Sequence, residues 1–237
     1  MGEKLPSDMR SLSEQVYNLI RRDILQGLLL PDMKLRIETV SERYKIGAVP
    51  VREALNRLSA EGLVERKSQR GFFVAPLEMG DLEELVKTRI WLETRALQES
   101  IARSDEAWEE ALVVSFHRLS RTSRRLMPDD GREISEEWDI RHKEFHMQLI
   151  DHCGSSWLLS FCATMMDQAA RYRNVSMNTH SSQARREGAL AEHQAILDAV
   201  LSRDAELACR LLSEHYQATL AALRPAGCTD AAPGAED

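Results

Sequence analysis

The stretch that decides the fold runs Pro50-Val51-Arg52-Glu53-Ala54-Leu55-Asn56-Arg57-Leu58-Ser59-Ala60-Glu61-Gly62-Leu63-Val64. Apolar residues recur along it at the three- and four-residue spacing of a helix, and Gly62 stands where that helix would end. A basic turn at residues 66–71 then separates two short apolar runs, which predicts a pair of strands. A helix followed by a basic hairpin is the plan of a winged helix-turn-helix, in which the helix enters a DNA groove and the hairpin, the wing, contacts phosphate.

This stretch also resembles the signature of the GntR family of bacterial transcription regulators. The usual family core reads Pro-Val-Arg-Glu-Ala-Leu, followed by Arg-Leu, Glu-Gly-Leu-Val and Gly-Phe-Val. The chain carries the first three motifs in order between Pro50 and Val64, and it has Gly71-Phe72-Phe73-Val74 in place of the last. The resemblance implies a winged helix-turn-helix DNA-binding domain, which we expect at residues 7–76, with earlier helices at 11–27 and 37–44.

The pattern changes after the boundary segment Pro76–Gly80, because the strand signal disappears and helical spacing takes over. Six helices are predicted, at residues 81–103, 105–127, 134–152, 157–173, 184–202 and 204–223. The predicted fold class is therefore mostly α, an N-terminal winged helix-turn-helix followed by an all-helical antiparallel bundle at residues 79–224. The small, polar residues 225–237 predict a disordered tail.

Charge is divided unevenly along the 237 residues, whose formal net charge is −7. Residues 1–76 carry +3 and residues 77–237 carry −10, as expected for a DNA-facing domain joined to one with another task. The small basic excess predicts a few phosphate contacts summed over two copies in a homodimer. No apolar run approaches the roughly 20 residues of a membrane helix, and no secretory signal begins the chain, which predicts a cytoplasmic protein with reduced cysteines and no membrane partner.

The second half resembles the all-helical, FCD-type ligand-binding domain of the FadR subgroup of the same family. The matching residues are Arg89-Ile-Trp-Leu-Glu93, Phe145-His146, His193-Gln-Ala-Ile-Leu-Asp-Ala199 and His215. The resemblance implies a domain that binds a small-molecule effector and forms a homodimer.

In the family, the start of the recognition helix contacts base edges and the wing contacts the minor groove or the backbone. Carried over by position, the DNA-binding candidates are Arg52, Arg57, Arg66, Lys67 and Arg70. Arg52 is the candidate for a base contact, since its fork can bind O6 and N7 of guanine together, whereas Arg57 is expected to meet phosphate or to pack. The residues alone also allow Arg52 to form a surface ion pair with Glu53 or Glu61.

One departure from the family pattern precedes the recognition helix. Gly47-Ala48-Val49 stands where family members usually have Ser-Arg-Thr, so a helix-capping Ser and a base-reading Arg are both missing. The fold tolerates this change, but the operator sequence cannot be carried over from the family. Specificity is expected to depend on Arg52, the wing and DNA shape.

Four histidines form a candidate metal site. His142 and His146 are four residues apart and share a helix face, while His193 and His215 belong to two later helices. Four neutral imidazoles suit Zn, Ni, Cu or Co better than Mg or Ca, and we expect a divalent transition metal, Zn or Ni first. The resemblance implies an Asp and three His as ligands, and His142 occupies the Asp position. Asp139 is too far along the helix to replace it. Histidines that only fill the core remain the alternative.

Arg89 and Arg171 are the candidate effector-binding residues. An Arg inside an apolar bundle helix is costly unless it is paired, so Arg89 either forms a structural pair with Glu93 one turn on or clamps an effector carboxylate. Arg171, and with it Arg173, could act in the same way.

Three functions stay open at this level. The resemblance implies a transcription regulator, commonly a repressor, that binds a near-palindromic double-stranded operator and a small carboxylate effector. The rival is a helical metalloenzyme with an accessory nucleic-acid-binding module, in which the metal activates water. It is not favoured, because no carboxylate base or nucleophile motif adjoins the histidines. In the third, the metal is structural, or it is absent and an acyl-type ligand binds instead.

Overall fold

The computed structural model describes residues 7–123, 135–180 and 183–224. These residues form helices and one small three-stranded sheet. The N-terminal half contains α1 (Ser7–Leu25), β1 (Lys34–Leu35), α2 (Ile37–Tyr44), α3 (Ala48–Ala60), β2 (Val64–Lys67) and β3 (Gly71–Val74). The C-terminal half contains α4 (Met79–Ala102), α5 (Glu106–Arg121), α6 (Glu136–Ile150), α7 (Ser156–His180), α8 (Gln183–Leu201) and α9 (Ala205–Leu223). The predicted tail at 225–237 lies outside the described residues.

The N-terminal half is built on its own apolar core, with members from Val16 to Val74. Helix α1 packs along α3, the predicted recognition helix, and β2 and β3 form an antiparallel hairpin in which Lys67 pairs with Gly71 at the tip. Strand β1 adds to the other edge of β3, giving the sheet order β1-β3-β2. The predicted winged helix-turn-helix is confirmed.

The C-terminal half has a second core, with members from Leu82 to Leu220. Its centre is α4, which packs against α6, α7 and α9, while α5 packs against α6 and α8. The predicted helical bundle is confirmed, and Cys153, Cys162 and Cys209 are buried free thiols as expected. None of the helices in the described ranges combines the length and apolar character that crossing a bilayer requires.

The largest differences from the sequence-based expectations concern one strand and two helices. Strand β1 was not predicted, because two residues carry no periodic signal. Helix α5 was predicted to reach residue 127 but ends at Arg121, after which Thr122 has extended backbone angles. Helix α7 was predicted to end at Arg173 but continues to His180, because the polar Asn174 is buried and hydrogen-bonded rather than exposed in a loop.

Helix α7 also joins the two halves through polar contacts. The Gln168 amide donates to the carbonyl of Glu61 at the end of α3, over a distance of 3.0 Å. Gly62, next in sequence, has a positive φ of 71°, and a Cβ there would lie 3.5 Å from Gln168. Arg171 donates to the carbonyl of Ala75, and Asn174 donates to that of Leu25. These bonds place the bundle directly against α1 and α3.

Candidate functional site

The four predicted histidines lie together at the centre of the bundle. Helix α6 contributes His142 and His146, α8 contributes His193, and α9 contributes His215. One ring nitrogen from each histidine can be chosen so that all four atoms lie within 4.8 Å of one another. The Nε2 atoms of His146 and His193 are 3.1 Å apart. The structure therefore brings together residues that the sequence separates by up to 73 positions.

The local sequence explains why these rings point inward. On α6, Phe145 and Leu149 are fully buried, so the face that also carries His146 turns toward the core. His142, one turn earlier, stacks on Trp138 with ring centroids 4.6 Å apart. His193 precedes the buried Ile196 on α8, and His215 follows the buried Leu212 on α9, so both rings face the same centre.

The electrostatic environment favours neutral imidazoles. Burial lowers the pKa of His142 and of His146 well below the usual histidine range, and the neighbouring imidazoles lower it further. Because a metal ion binds the unprotonated ring nitrogen, these rings need not lose a proton at neutral pH before they can act as ligands.

Two side chains that the sequence analysis missed orient the rings. The Glu192 carboxylate lies 2.7 Å from Nδ1 of His215, and the Tyr216 hydroxyl lies 3.1 Å from Nδ1 of His146. The Tyr216 hydroxyl also donates to Glu93 over 2.5 Å. Contacts at Nδ1 leave Nε2 for a metal, as is usual for histidine ligands. A signal was present, since Glu192 precedes His193 and Tyr216 follows His215, so the expectation that no carboxylate adjoins the histidines was wrong.

The donor set fits a divalent transition metal. Zinc lies about 2.0–2.1 Å from histidine nitrogens in a tetrahedral site, so two donors of one ion are about 3.4 Å apart. The four nitrogens lie within 4.8 Å of one another, so side-chain shifts on the order of 1 Å would close them around an ion. Asp139 lies outside this group, and its carboxylate accepts hydrogen bonds from Gln26, Arg173 and Asn174 instead.

A cavity of about 560 Å³ adjoins the histidines. Its lining includes His142 with the buried His146 and Arg89, which mark its inner end, and half-buried or exposed side chains of α1. Its volume lies in the range of roughly 300–1,000 Å³ that holds small ligands. The contribution of α1 was not predicted, because periodicity within a helix does not show which face meets another domain.

Arg89 forms the ion pair that was one of its two predicted roles, and it also lines the cavity. It is buried, and its guanidinium donates to Glu93 at 2.7 and 3.4 Å, which is the expected structural pair. It also lines the cavity and lies 4.1 Å from the centre of the Tyr216 ring. The ion pair therefore holds Arg89 in position at the inner wall.

Arg171 is not placed for effector binding. Its guanidinium donates to the carbonyl of Ala75 and to the Gln168 side chain, at the junction of the two halves, and it does not line the cavity. The prediction of Arg171 as an effector contact is corrected on this ground. Arg173, two residues on, does line the cavity and pairs with Asp139 at 2.7 Å.

Arg52 lies exposed near the start of α3 and has no ion pair among the residues that the structure describes. The carboxylates that could have paired with it are engaged elsewhere, because Glu53 accepts from Ser13 and Glu61 accepts from Tyr17. The N-cap residue Gly47 makes no side-chain capping bond, as expected from its sequence.

The other basic candidates divide into two groups. Arg57 packs, since it pairs with Glu14 at 2.6 Å and lies 3.6 Å from the centre of the Tyr17 ring. The wing carries the remaining three, Arg66, Lys67 and Arg70. Arg66 and Arg70 are exposed, while Lys67 lies 5.0 Å from the centre of the Phe73 ring.

Comparisons with known proteins agree with this architecture. Residues 12–74 match the family model described as bacterial regulatory proteins, gntR family, and residues 84–218 match the FCD domain. The HTH-type transcriptional regulator BphR of Paraburkholderia xenovorans (strain LB400) is 37% identical over 221 residues, which cover 93% of this chain and 89% of BphR.

The HTH-type transcriptional repressor GlaR of Escherichia coli (strain K12) is 34% identical over 200 residues, which cover 84% of this chain and 90% of GlaR. Among solved structures, E. coli McbR/YncC shares the fold with a TM-score of 0.73 at 19% identity, covering 90% of this chain and 96% of that one. BphR and GlaR bear the names of transcription regulators, a class of proteins that are not enzymes.

Proposed function

The chain belongs to the GntR family of bacterial regulatory proteins, and we propose that it represses transcription until a metal-anchored carboxylate effector binds its FCD domain. The family makes it a DNA-binding transcription regulator whose helical domain binds a small-molecule effector. Repression is supported by the 34% identical relative that is named a repressor. A regulator of this kind acts in the cytoplasm, where the chromosome lies.

The single observation that carries the proposal is the group of four histidines beside the cavity. His142, His146, His193 and His215 would hold a Zn or Ni ion. The ion, when bound, supplies a positive, Lewis-acidic anchor for an anionic ligand. Since all four protein donors are neutral, they do not cancel the charge of the ion, as a carboxylate ligand would in part.

The charges of the cavity wall support a carboxylate effector. Among the described lining residues, five are cationic and three are carboxylates. Arg89 lies at the inner end beside the histidines, where its fork is suited to a carboxylate. Its pairing with Glu93 keeps the guanidinium in place without a ligand, so little ordering is needed when one binds.

The recognition helix would read the operator with both polar and apolar side chains. Arg52 is the candidate for a guanine contact, and Arg66, Lys67 and Arg70 are the candidates for backbone contacts by the wing. Ala48 and Val49, where the family pattern has polar residues, are exposed at the start of α3. Apolar side chains at that place suit the methyl group of thymine.

A homodimer is supported by exposed aromatic residues on two helices that pack on each other. Trp157 and Phe161 on α7 are 77% and 57% exposed, and Trp91 on α4 is 62% exposed. Large aromatic side chains are enriched at protein interfaces and are costly to leave in water. Two copies would match the two half-sites of a near-palindromic operator.

Replacing Trp157 with glutamate is expected to convert the dimer to a monomer, because the charge would be buried unpaired at the interface. Sedimentation equilibrium at micromolar concentration measures the change. Val114→Glu is the matched control, since Val114 is also exposed but lies on α5. A dimer that survives Trp157→Glu and is lost in Val114→Glu would place the interface on α5 instead.

The proposed function is tested on an operator selected from random double-stranded DNA with the purified protein. We expect the metal-loaded protein to release this operator when short carboxylic acids are added, and the chelator-treated protein to release it much less. Release that is equally strong with and without metal would show that the ion takes no part in effector binding. An operator that no carboxylate releases would contradict the proposed class of effector.

A further inference from the structure

We infer that the effector site is completed by α1 of the DNA-binding half, and that it takes an elongated carboxylate whose far, polar end binds α1. This inference rests on the proposed function, because it places the near end of the ligand at the histidines. It goes further by assigning a second binding wall and a shape to the ligand.

Helix α1 packs into the core of the DNA-binding half with one face and lines the cavity with another. Val16, Ile20 and Ile24 are buried in the core of the DNA-binding half. The opposite side of the helix lines the cavity. Seven residues on or directly after α1 contribute, namely Gln15, Asn18, Leu19, Arg21, Arg22, Leu25 and Gln26. Most of this set recurs at three- and four-residue spacing, so one continuous helix face forms the wall.

The chemistry of the cavity changes from one end to the other. Its inner end presents the histidines and Arg89, while the wall formed by α1 presents side-chain amides and Arg22. Apolar lining residues are present as well, among them Ile140, Met166 and Ala170. A ligand that matches all three parts has an acid group, a short aliphatic chain and a second group that accepts hydrogen bonds.

Polar bonds around the cavity hold α1 against the bundle. Gln26 donates to Asp139 at 2.9 Å, and Arg21 pairs with Asp167. Both carboxylates also bind bundle residues, since Asp139 pairs with Arg173 and Asp167 pairs with Lys143. The cavity wall is therefore a built contact between the two halves.

The other side of α1 holds the recognition helix. Ser13 donates to Glu53 at 2.5 Å, Tyr17 donates to Glu61 at 2.9 Å, and Arg57 pairs with Glu14 at 2.6 Å. A ligand that binds to α1 therefore contacts the helix whose side chains hold α3 in place. By linkage, a ligand that prefers one placement of α1 changes DNA affinity, and DNA changes ligand affinity by the same factor.

The test uses full-length, zinc-loaded protein and two series of probes. One series is the straight-chain dicarboxylates of three to eight carbons, and the other is the monocarboxylates of equal length. Titration calorimetry gives each Kd for the wild type, Asn18→Ala, Asn18→Trp and the control Asn56→Ala. Asn56 is an exposed asparagine on α3 that does not line the cavity.

We expect one length of dicarboxylate to bind the wild type at least about 10-fold more tightly than its monocarboxylate, because its far end gains a charge-assisted hydrogen bond. Asn18→Ala should reduce this advantage, and Asn18→Trp should remove it by filling the outer end. Neither change should alter the zinc content, because Asn18 lies outside the donor group, and Asn56→Ala should match the wild type in every Kd.

The failures of the two proposals are distinguishable. Equal Kd values for mono- and dicarboxylates, or a dicarboxylate advantage that both Asn18 variants keep, would overturn the role of α1 and leave the site at the histidines standing. If no acid of either series binds the zinc-loaded wild type, the proposed effector class and this inference both fall.

Discussion

Replacing His193 with alanine is expected to strip the protein of its transition metal. His193 is buried, and its Nε2 atom lies 3.1 Å from that of His146, so its loss opens the centre of the donor group. Loss of an outer partner of a ligand typically costs about 10–100-fold in metal affinity, and loss of a ligand itself should cost more. Elemental analysis of protein made without a His tag would show about one metal per chain in the wild type and little in the variant.

Two further variants separate a metal ligand from a residue that merely fills the core. His152→Ala is the control, because His152 lies outside the donor group and should keep the full metal content. His142→Asp should also keep the metal, since aspartate is the ligand type that the resemblance implies at this position. Metal content that is unchanged in His193→Ala, or a wild type without metal, would contradict the four-histidine site.

The fold could be predicted largely because its signals are local. The apolar spacing of residues 50–58 and the basic turn at 66–71 each lie within one element and its neighbour. The predicted helix ends were wrong where contacts with other elements decide how far a helix continues. Helix α7 continues past Arg173 because Asn174 finds partners in α1 and α6, which no pattern along α7 itself could indicate.

The candidate site likewise contains residues that could be predicted from the sequence and residues that could not. The four histidines could be grouped because the resemblance supplied positions that lie on three different helices. The same reasoning misplaced Arg171, because two arginines two residues apart on one helix face different surroundings, and only Arg173 meets the cavity. The wall formed by α1 could not be predicted, since it depends on how the two halves pack.

Replacing Arg52 with alanine is expected to weaken operator binding strongly and to relax its sequence preference. Arg52 is exposed near the start of α3 and has no ion pair within the described ranges, so removing it should cost the fold little. A bidentate Arg–guanine contact is worth about 1–3 kcal/mol, and a homodimer would lose one in each half-site, or about 2–6 kcal/mol in total. Fluorescence anisotropy should show a Kd for the selected operator raised by at least about 30-fold.

Two control variants, at arginines on other surfaces, test whether the effect of Arg52→Ala is specific to base reading. Arg95→Ala, on an exposed face of α4, should leave DNA binding unchanged. Arg66→Ala, in the wing, should weaken binding to selected and scrambled DNA alike and reduce the salt dependence by about two phosphate contacts, one in each half-site. If Arg52→Ala shows that same uniform loss, Arg52 contacts the backbone, and the sequence preference comes from Ala48, Val49 and DNA shape. If Arg52→Ala binds the operator as the wild type does, then α3 does not read bases through this residue.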